Sequence, residues 1–142
     1  MRRKGLICIY TGNGKGKTTA AIGTAIRAAG QGLEVLILQF MKGQKNIGEL
    51  KALTGTRLPI MLKQYGRSVF FQSRACEPID IHKAHLGLYA FQIAMRSEVF
   101  DLIVLDEINM AIDFGLLQIC LLYTSPSPRD STLDLVCRLL LE

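Results

Sequence analysis

Hydrophobic and polar positions along this chain follow two alternating rhythms. Leu6-Ile7-Cys8-Ile9-Tyr10, Leu33 to Phe40 and Leu102-Ile103-Val104-Leu105 are short, nearly continuous apolar runs with β-branched residues, the pattern of parallel strands buried on both faces. Pro59 to Lys63 reads as a further strand. Between these runs the period lengthens. Ala21, Ile22, Ala25, Ile26 and Ala29 recur at helical spacing within Ala20 to Ala29, with Gly30 and Gly32 as stop signals. Ile47 to Leu53 reads as a short helix, and Ile79 to Ser97 as a longer one with Ile79, Leu86 and Ile93 on one apolar stripe. Strands alternating with helices predict an α/β domain with a mostly parallel central sheet flanked by helices.

The first strand delivers the chain into Thr11-Gly12-Asn13-Gly14-Lys15-Gly16-Lys17-Thr18-Thr19, and a helix follows at once. That is the context a phosphate-binding loop requires. Glycines let successive backbone N–H groups turn toward phosphate oxygens, and the helix N-terminus adds the positive end of its dipole. Lys17 would neutralise phosphate charge, while the Thr18 hydroxyl would ligate Mg²⁺. The spacing Gly12-x-x-x-Gly16-Lys17-Thr18 is one residue shorter than the usual loop. The dinucleotide fingerprint fails, because Lys17 stands where its third glycine belongs.

Asp101-Leu-Ile-Val-Leu-Asp106-Glu107 is an apolar strand ending in two carboxylates, the pattern called Walker B. They fall at the C-terminal end of a strand, where open parallel sheets bind ligands, and Mg²⁺-triphosphate needs a hard oxygen ligand. Asp106 and Glu107 are therefore candidate metal ligands.

Composition narrows the class. The chain has 142 residues, 49% hydrophobic and 20% charged, enough apolar material for one globular domain with a sizeable core. No apolar run approaches the roughly 20 residues of a membrane helix, and no membrane partner is expected. Cys8, Cys76, Cys120 and Cys137 lack zinc or C-x-x-C spacing, so a reducing cytoplasm is the expected setting. The net charge of +5 suits an anionic ligand as well as nucleic acid. Arg2-Arg3-Lys4, the one tight basic cluster, has no interleaved aromatics, and no nucleic-acid partner is expected. Arg27, His82 and His85 receive no role.

The rhythm breaks near Ile119. Cys120-Leu-Leu-Tyr-Thr-Ser-Pro-Ser-Pro-Arg-Asp130 is turn-rich and matches, residue for residue, a translated sequencing adaptor of the transposase type. After an index-like Ser131-Thr132-Leu133, the stretch Asp134 to Glu142 resembles the adaptor's far end. Residues 1–119 are thus expected to form the domain and residues 120–142 a non-native tail. The alternative is a genuine loop followed by an amphipathic helix carrying Leu133, Val136, Leu140 and Leu141.

Gly12-Asn-Gly-Lys-Gly-Lys-Thr-Thr19, Ala28 to Gly32, Gln39-Phe40-Met41-Lys42-Gly43 and Leu105-Asp106-Glu107-Ile108-Asn109 together resemble the ATP:corrinoid adenosyltransferases with a RecA-like P-loop fold. The resemblance runs from about Leu6 to Gln118, and the family continues with another helix and further strands, which implies a C-terminally truncated chain. It implies that a cobalt(I) corrinoid attacks the 5′-carbon of ATP and expels intact triphosphate. Lys15, Lys17, the loop N–H groups and Mg²⁺ would then stabilise a leaving group, and no general base is required. Lys17 and Glu107 are the implied catalytic residues. Gly12, Asn13, Gly14, Lys15, Gly16, Thr18 and Thr19 would complete the nucleotide site, and Thr18 and Glu107, supported by Asp106, would hold the metal.

The family's aromatic motif, which displaces the corrinoid's lower ligand, corresponds to Gly66-Arg67-Ser68-Val69-Phe70-Phe71, with Phe71 nearest to its aromatic position and no Trp present. Phe70 and Phe71 as simple core residues are the competing reading. An electron-donor protein such as a flavodoxin and a homodimeric assembly are also implied. Two other functions fit the phosphate chemistry: a conventional P-loop ATPase or kinase, and an inactive nucleotide-binding fragment.

Overall fold

The structure, a computed structural model, describes residues 6–69, 75–123 and 134–137. In chain order the elements are β1 (Ile7–Ile9), α1 (Lys17–Gly30), β2 (Val35–Phe40), α2 (Gly48–Thr54), β3 (Ile60–Tyr65), α3 (Pro78–Ser97), β4 (Leu102–Asp106), α4 (Ile108–Asp113), α5 (Ile119–Tyr123) and β5 (Asp134–Cys137). The strands form one sheet in the order β1-β5-β4-β2-β3, and every described pairing is parallel. This is the α/β architecture that the alternating rhythm predicts. Parallel neighbours need crossovers, and the intervening helices supply them.

The strand period of two sorts the core into two layers. Leu36, Leu38 and Phe40 of β2, with Ile103 and Leu105 of β4, meet α3 and α4 on one face. Val35, Ile37, Leu102 and Val104 point the other way, onto Ala21, Ala25 and Ala29 of α1 and Leu53 of α2. Both faces of β2 and β4 are thereby closed, which is why their sequences are continuously apolar. Burying each of the larger side chains, such as Phe40 or Ile37, contributes about 2–3 kcal/mol.

Two expectations differ from the outcome. In α3 the stripe of Ile79, Leu86 and Ile93 faces solvent, at 42%, 46% and 50% exposure, and the buried face is Ala84, Gly87, Leu88, Phe91, Ala94 and Met95. Close approach decides between the two apolar faces. A Cβ added at Gly87 would lie 2.7 Å from Phe40 Cε1 and 2.9 Å from Tyr65 Cγ, so only the small-residue face can lie this near the sheet. Strand β1 is parallel as expected, yet Ile7, Cys8 and Ile9 are exposed instead of buried on both faces. It is the outermost strand of the described sheet, and α1 leans on β2, β3 and β4. Asp134–Cys137, within the stretch where the competing reading placed an amphipathic helix, is a strand between β1 and β4. Among the described residues no helix is long and apolar enough to cross a membrane.

Candidate functional site

The glycine loop leaves β1 and enters α1 as its residue types require. Gly12 (φ 126°) and Gly16 (φ 105°) occupy positive φ, which L side chains rarely adopt, and Gly16 is the N-cap of α1 without a side-chain cap. The first helical bond runs from Ala20 N to Gly16 O at 2.8 Å. The N–H groups of Lys17, Thr18 and Thr19 precede it and have no place in the helix ladder. Asn13, Gly14 and Lys15 are exposed on the loop, as is Thr19 on the first turn. Lys17 folds back over it, its ammonium donating to Gly12 O and, at 2.5 Å, to Gly14 O. A positive charge is thus held among the loop's own carbonyls.

Strand alternation brings the second half of the site to this loop. Continuing the α1-facing series Val35, Ile37 and Leu102, Val104 by one step each gives Gln39 and Asp106, and the register pairs Gln39 with both Asp106 and Gln64. Three polar side chains therefore stand level across β4, β2 and β3. Gln64 Nε2 donates to Gln39 Oε1 at 3.0 Å, and Gln39 Nε2 donates to Asp106 Oδ2 at 3.2 Å. Asp106 is 1% exposed and Gln39 0%, so these bonds offset a desolvation that would otherwise be costly. The Thr18 hydroxyl donates to Asp106 Oδ1 at 3.0 Å, joining loop to strand. Lys42 Nζ donates to Asp106 Oδ2 at 2.7 Å and to Thr18 Oγ1 at 3.4 Å.

The chain then turns sharply after both central strands. Met41 (φ 56°) follows β2 and Glu107 (φ 64°) follows β4, each in the left-handed region at a cost of about 1 kcal/mol or more for a non-glycine residue. Both turns feed a cavity of about 480 Å³ walled by Met41, Lys42, Ile47, Val69, Glu107, Met110 and Phe114. The two carboxylates that sequence reading grouped together thus differ in setting. Asp106 is joined to Thr18, whereas Glu107 is at the cavity wall.

The cavity's outer rim depends on two features that local sequence patterns do not show. Gly43 and Gly66 pack backbone to backbone: a Cβ on Gly43 would meet Gly66 O and lie 2.6 Å from Arg67 C, and one on Gly66 would meet Lys42 N and Met41 C. Beside them, Arg67 forms a two-pronged bond to Asp80, Nε to Oδ1 at 2.6 Å and Nη2 to Oδ2 at 2.7 Å. Arg67 Nη1 also donates to Glu77 Oε1 at 2.8 Å. The bonds to Asp80 first, and to Glu77 next, push the Arg67 pKa up from its ordinary value. Asp80 in turn closes the capping box of α3, accepting from Glu77 N at 2.9 Å. Asp80→Ala removes the cap and the partner together. It should cost about 2–3 kcal/mol, read as a lower denaturation midpoint with an unchanged slope.

Phe71, the expected corrinoid-side aromatic, lies outside the described residues, as does Phe70. Val69, the last described residue before them, lines the cavity. Lys42 and Arg67 belong to segments whose motifs were legible, but neither stood out as a site residue, since their partners are distant in sequence.

The geometry can be set beside known proteins. The profile of the family described as ATP:corrinoid adenosyltransferase BtuR/CobO/CobP matches residues 3–137. The chain is 34% identical over 119 residues to the corrinoid adenosyltransferase CobA of Salmonella typhimurium, covering 80% of this chain and 57% of that protein. It is 33% identical over 119 residues to a corrinoid adenosyltransferase of Escherichia coli K12, with the same coverage. An uncharacterised protein from a Nostoc species is 33% identical over 121 residues, covering 78% of this chain and 32% of its own length. The chain spans from about a third to somewhat over half the length of these relatives.

Proposed function

Because the chain belongs to the ATP:corrinoid adenosyltransferase family, we propose that it binds ATP on the loop from Gly12 to Thr19 and transfers the 5′-deoxyadenosyl group to the cobalt(I) of a corrinoid. The observation that carries this reading is the juncture at Thr18 and Asp106. A phosphate-type loop and the end of β4 meet there, beside a cavity with apolar walls. In the reaction the cobalt(I) electron pair forms the cobalt–carbon bond, the carbon–oxygen bond to triphosphate breaks, and its electron pair leaves on the triphosphate oxygen.

The residues present suit that division of labour. Lys17, Lys15 and the N–H groups at the start of α1 would gather around a departing polyanion, and none of them needs to accept a proton. The Thr18 hydroxyl and the Asp106 carboxylate are hard oxygen donors already within one hydrogen bond of each other, and a cation, the Lys42 ammonium, already lies against both. They fit Mg²⁺, which when bound would neutralise charge growing on the leaving group. Among the described residues no three His, Cys, Asp or Glu side chains gather as a metal site, and a Mg²⁺ here would draw its remaining ligands from phosphate and water. Met41, Ile47, Val69, Met110 and Phe114 give the cavity the apolar character to receive part of a flat macrocycle, with Glu107 at its edge. Phe71 follows two residues after Val69 and is assigned to the corrinoid side.

The same reading includes a cytoplasmic setting, a homodimer, and an electron donor such as a flavodoxin to bring the cobalt to its +1 state. The test is direct. With MgATP and a chemically reduced corrinoid, the expected result is a light-sensitive cobalt–carbon bond in the visible spectrum and one triphosphate released per cobalt alkylated. ADP and phosphate at a corrinoid-independent rate would establish a conventional ATPase or kinase instead. ATP binding with neither product would establish an inactive nucleotide-binding fragment.

A further inference from the structure

Lys42 has no part in the site as motifs define it, yet it stands at its centre. Its ammonium is 2.7 Å from Asp106 Oδ2, 3.4 Å from Thr18 Oγ1 and 3.9 Å from Glu49 Oε1. Asp106 is 1% exposed, and a carboxylate buried to that degree requires a compensating charge. Lysine provides it as a compact point charge on a flexible stem, whereas the backbone beneath is fixed. Met41 is held left-handed on one side, and Gly43 is wedged against Gly66 and Arg67 on the other. The two oxygens that Lys42 touches most closely are the ones suited to a divalent ion. A second cation at those oxygens would lie within a few ångströms of the ammonium, where like charges repel strongly at low effective dielectric.

We infer that Lys42 is a tethered counter-cation that competes with the metal for Asp106 and Thr18 and must turn toward Glu49 when the metal binds. Glu49 is the evident receiver. It lies on the first turn of α2, is 24% exposed, accepts from Gln39 Nε2 at 3.4 Å and, like Lys42, lines the cavity. The consequence is a gate on order of binding. Metal alone gains little, because it exchanges one cation for another at Asp106. Metal arriving with a polyphosphate gains the phosphate oxygens as well. Lys42 is thus a positioning residue, acting through Asp106 and the metal. The inference rests on the nucleotide-site reading above, but not on adenosyl transfer.

The test uses Mn²⁺ alone as the probe, followed by electron paramagnetic resonance without nucleotide. Lys42→Met keeps the stem and removes the charge, and should tighten Mn²⁺ binding about tenfold, since one repulsive contact of that size is about 1.4 kcal/mol. Lys42→Arg keeps the charge and should bring no gain, and Lys42→Met with Asp106→Asn should lose the gain. Equal or weaker Mn²⁺ binding by Lys42→Met overturns the inference, as does a gain that survives Asp106→Asn. The unsubstituted chain supplies a readout that does not depend on a variant folding. In a lysine-labelled sample titrated with Mg²⁺, the Lys42 side-chain resonance should move together with the Thr18 amide. A Thr18 shift without a Lys42 shift, or no Thr18 shift, overturns it. Neither readout involves a corrinoid, so a chain that proves to be a conventional ATPase would still show both effects.

Discussion

Lys17→Ala should weaken MgATP binding about 100-fold, measured by calorimetry, while leaving the thermal transition nearly unchanged. The side chain contributes through its charge: its ammonium lies against Gly12 O and Gly14 O, within the loop that would wrap the phosphates. A charge-assisted bond to phosphate contributes on the order of 1.5–3 kcal/mol, and the roughly 2.7 kcal/mol that a 100-fold change represents falls within that range. Stability should be spared because the loop is exposed and outside both core clusters. Lys15→Ala, with its side chain also on the exposed loop, serves as the contrast and should lose much less. Unchanged ATP affinity in Lys17→Ala would remove the phosphate-loop assignment and with it the adenosyl-transfer reading.

How far the sequence carried this site depends on the range of the forces involved. Local signals were legible. Gly12 to Gly16 marks the phosphate-type loop, the apolar run before Asp106 marks β4, and the apolar spacing from Ile79 to Ser97 marks α3. Boundaries agree to within a few residues because caps and glycines are local punctuation. What escaped was pairing between segments. Asp106 and Gln39 are 67 residues apart, and only the register of β2 against β4 makes them neighbours. Lys42 stood in the Gln39 to Gly43 segment with no visible partner until β4 was placed beside β2. The orientation of α3 was missed for another reason. Two of its faces are apolar, and periodicity cannot say which one touches the sheet; Gly87, through its contact distance to Phe40 and Tyr65, can. The family resemblance ranked Glu107 ahead of Asp106 as a metal ligand, and the left-handed turn at Glu107 sets the two adjacent carboxylates in different surroundings.

Gly66→Ala should be among the most damaging single-methyl changes in this chain, costing about 3 kcal/mol or more. Overpacking usually costs about 1–3 kcal/mol because side chains give way, but here the added Cβ meets backbone, Met41 C and Lys42 N, with Lys42 C at 2.9 Å. Backbone at that point cannot yield cheaply, since Met41 is already in the left-handed region and Met41 N is bonded to Tyr65 O at 3.0 Å. Gly43→Ala meets the same joint from its other side, against Gly66 O and Arg67 C. Both substitutions pry apart the same two segments, so the double variant should cost clearly less than the sum of the singles. Gly23→Ala is the control: it lies inside α1 with nothing within 4 Å of an added Cβ, and should stabilise by about 0.5–1 kcal/mol. The joint also positions the ammonium of Lys42 and the guanidinium of Arg67 at the cavity rim, so loss of stability in Gly66→Ala should be accompanied by loss of the metal competition assigned to Lys42. Denaturant midpoints for the four variants decide the matter: a Gly66→Ala midpoint equal to that of Gly23→Ala would mean that the two turns are not in backbone contact.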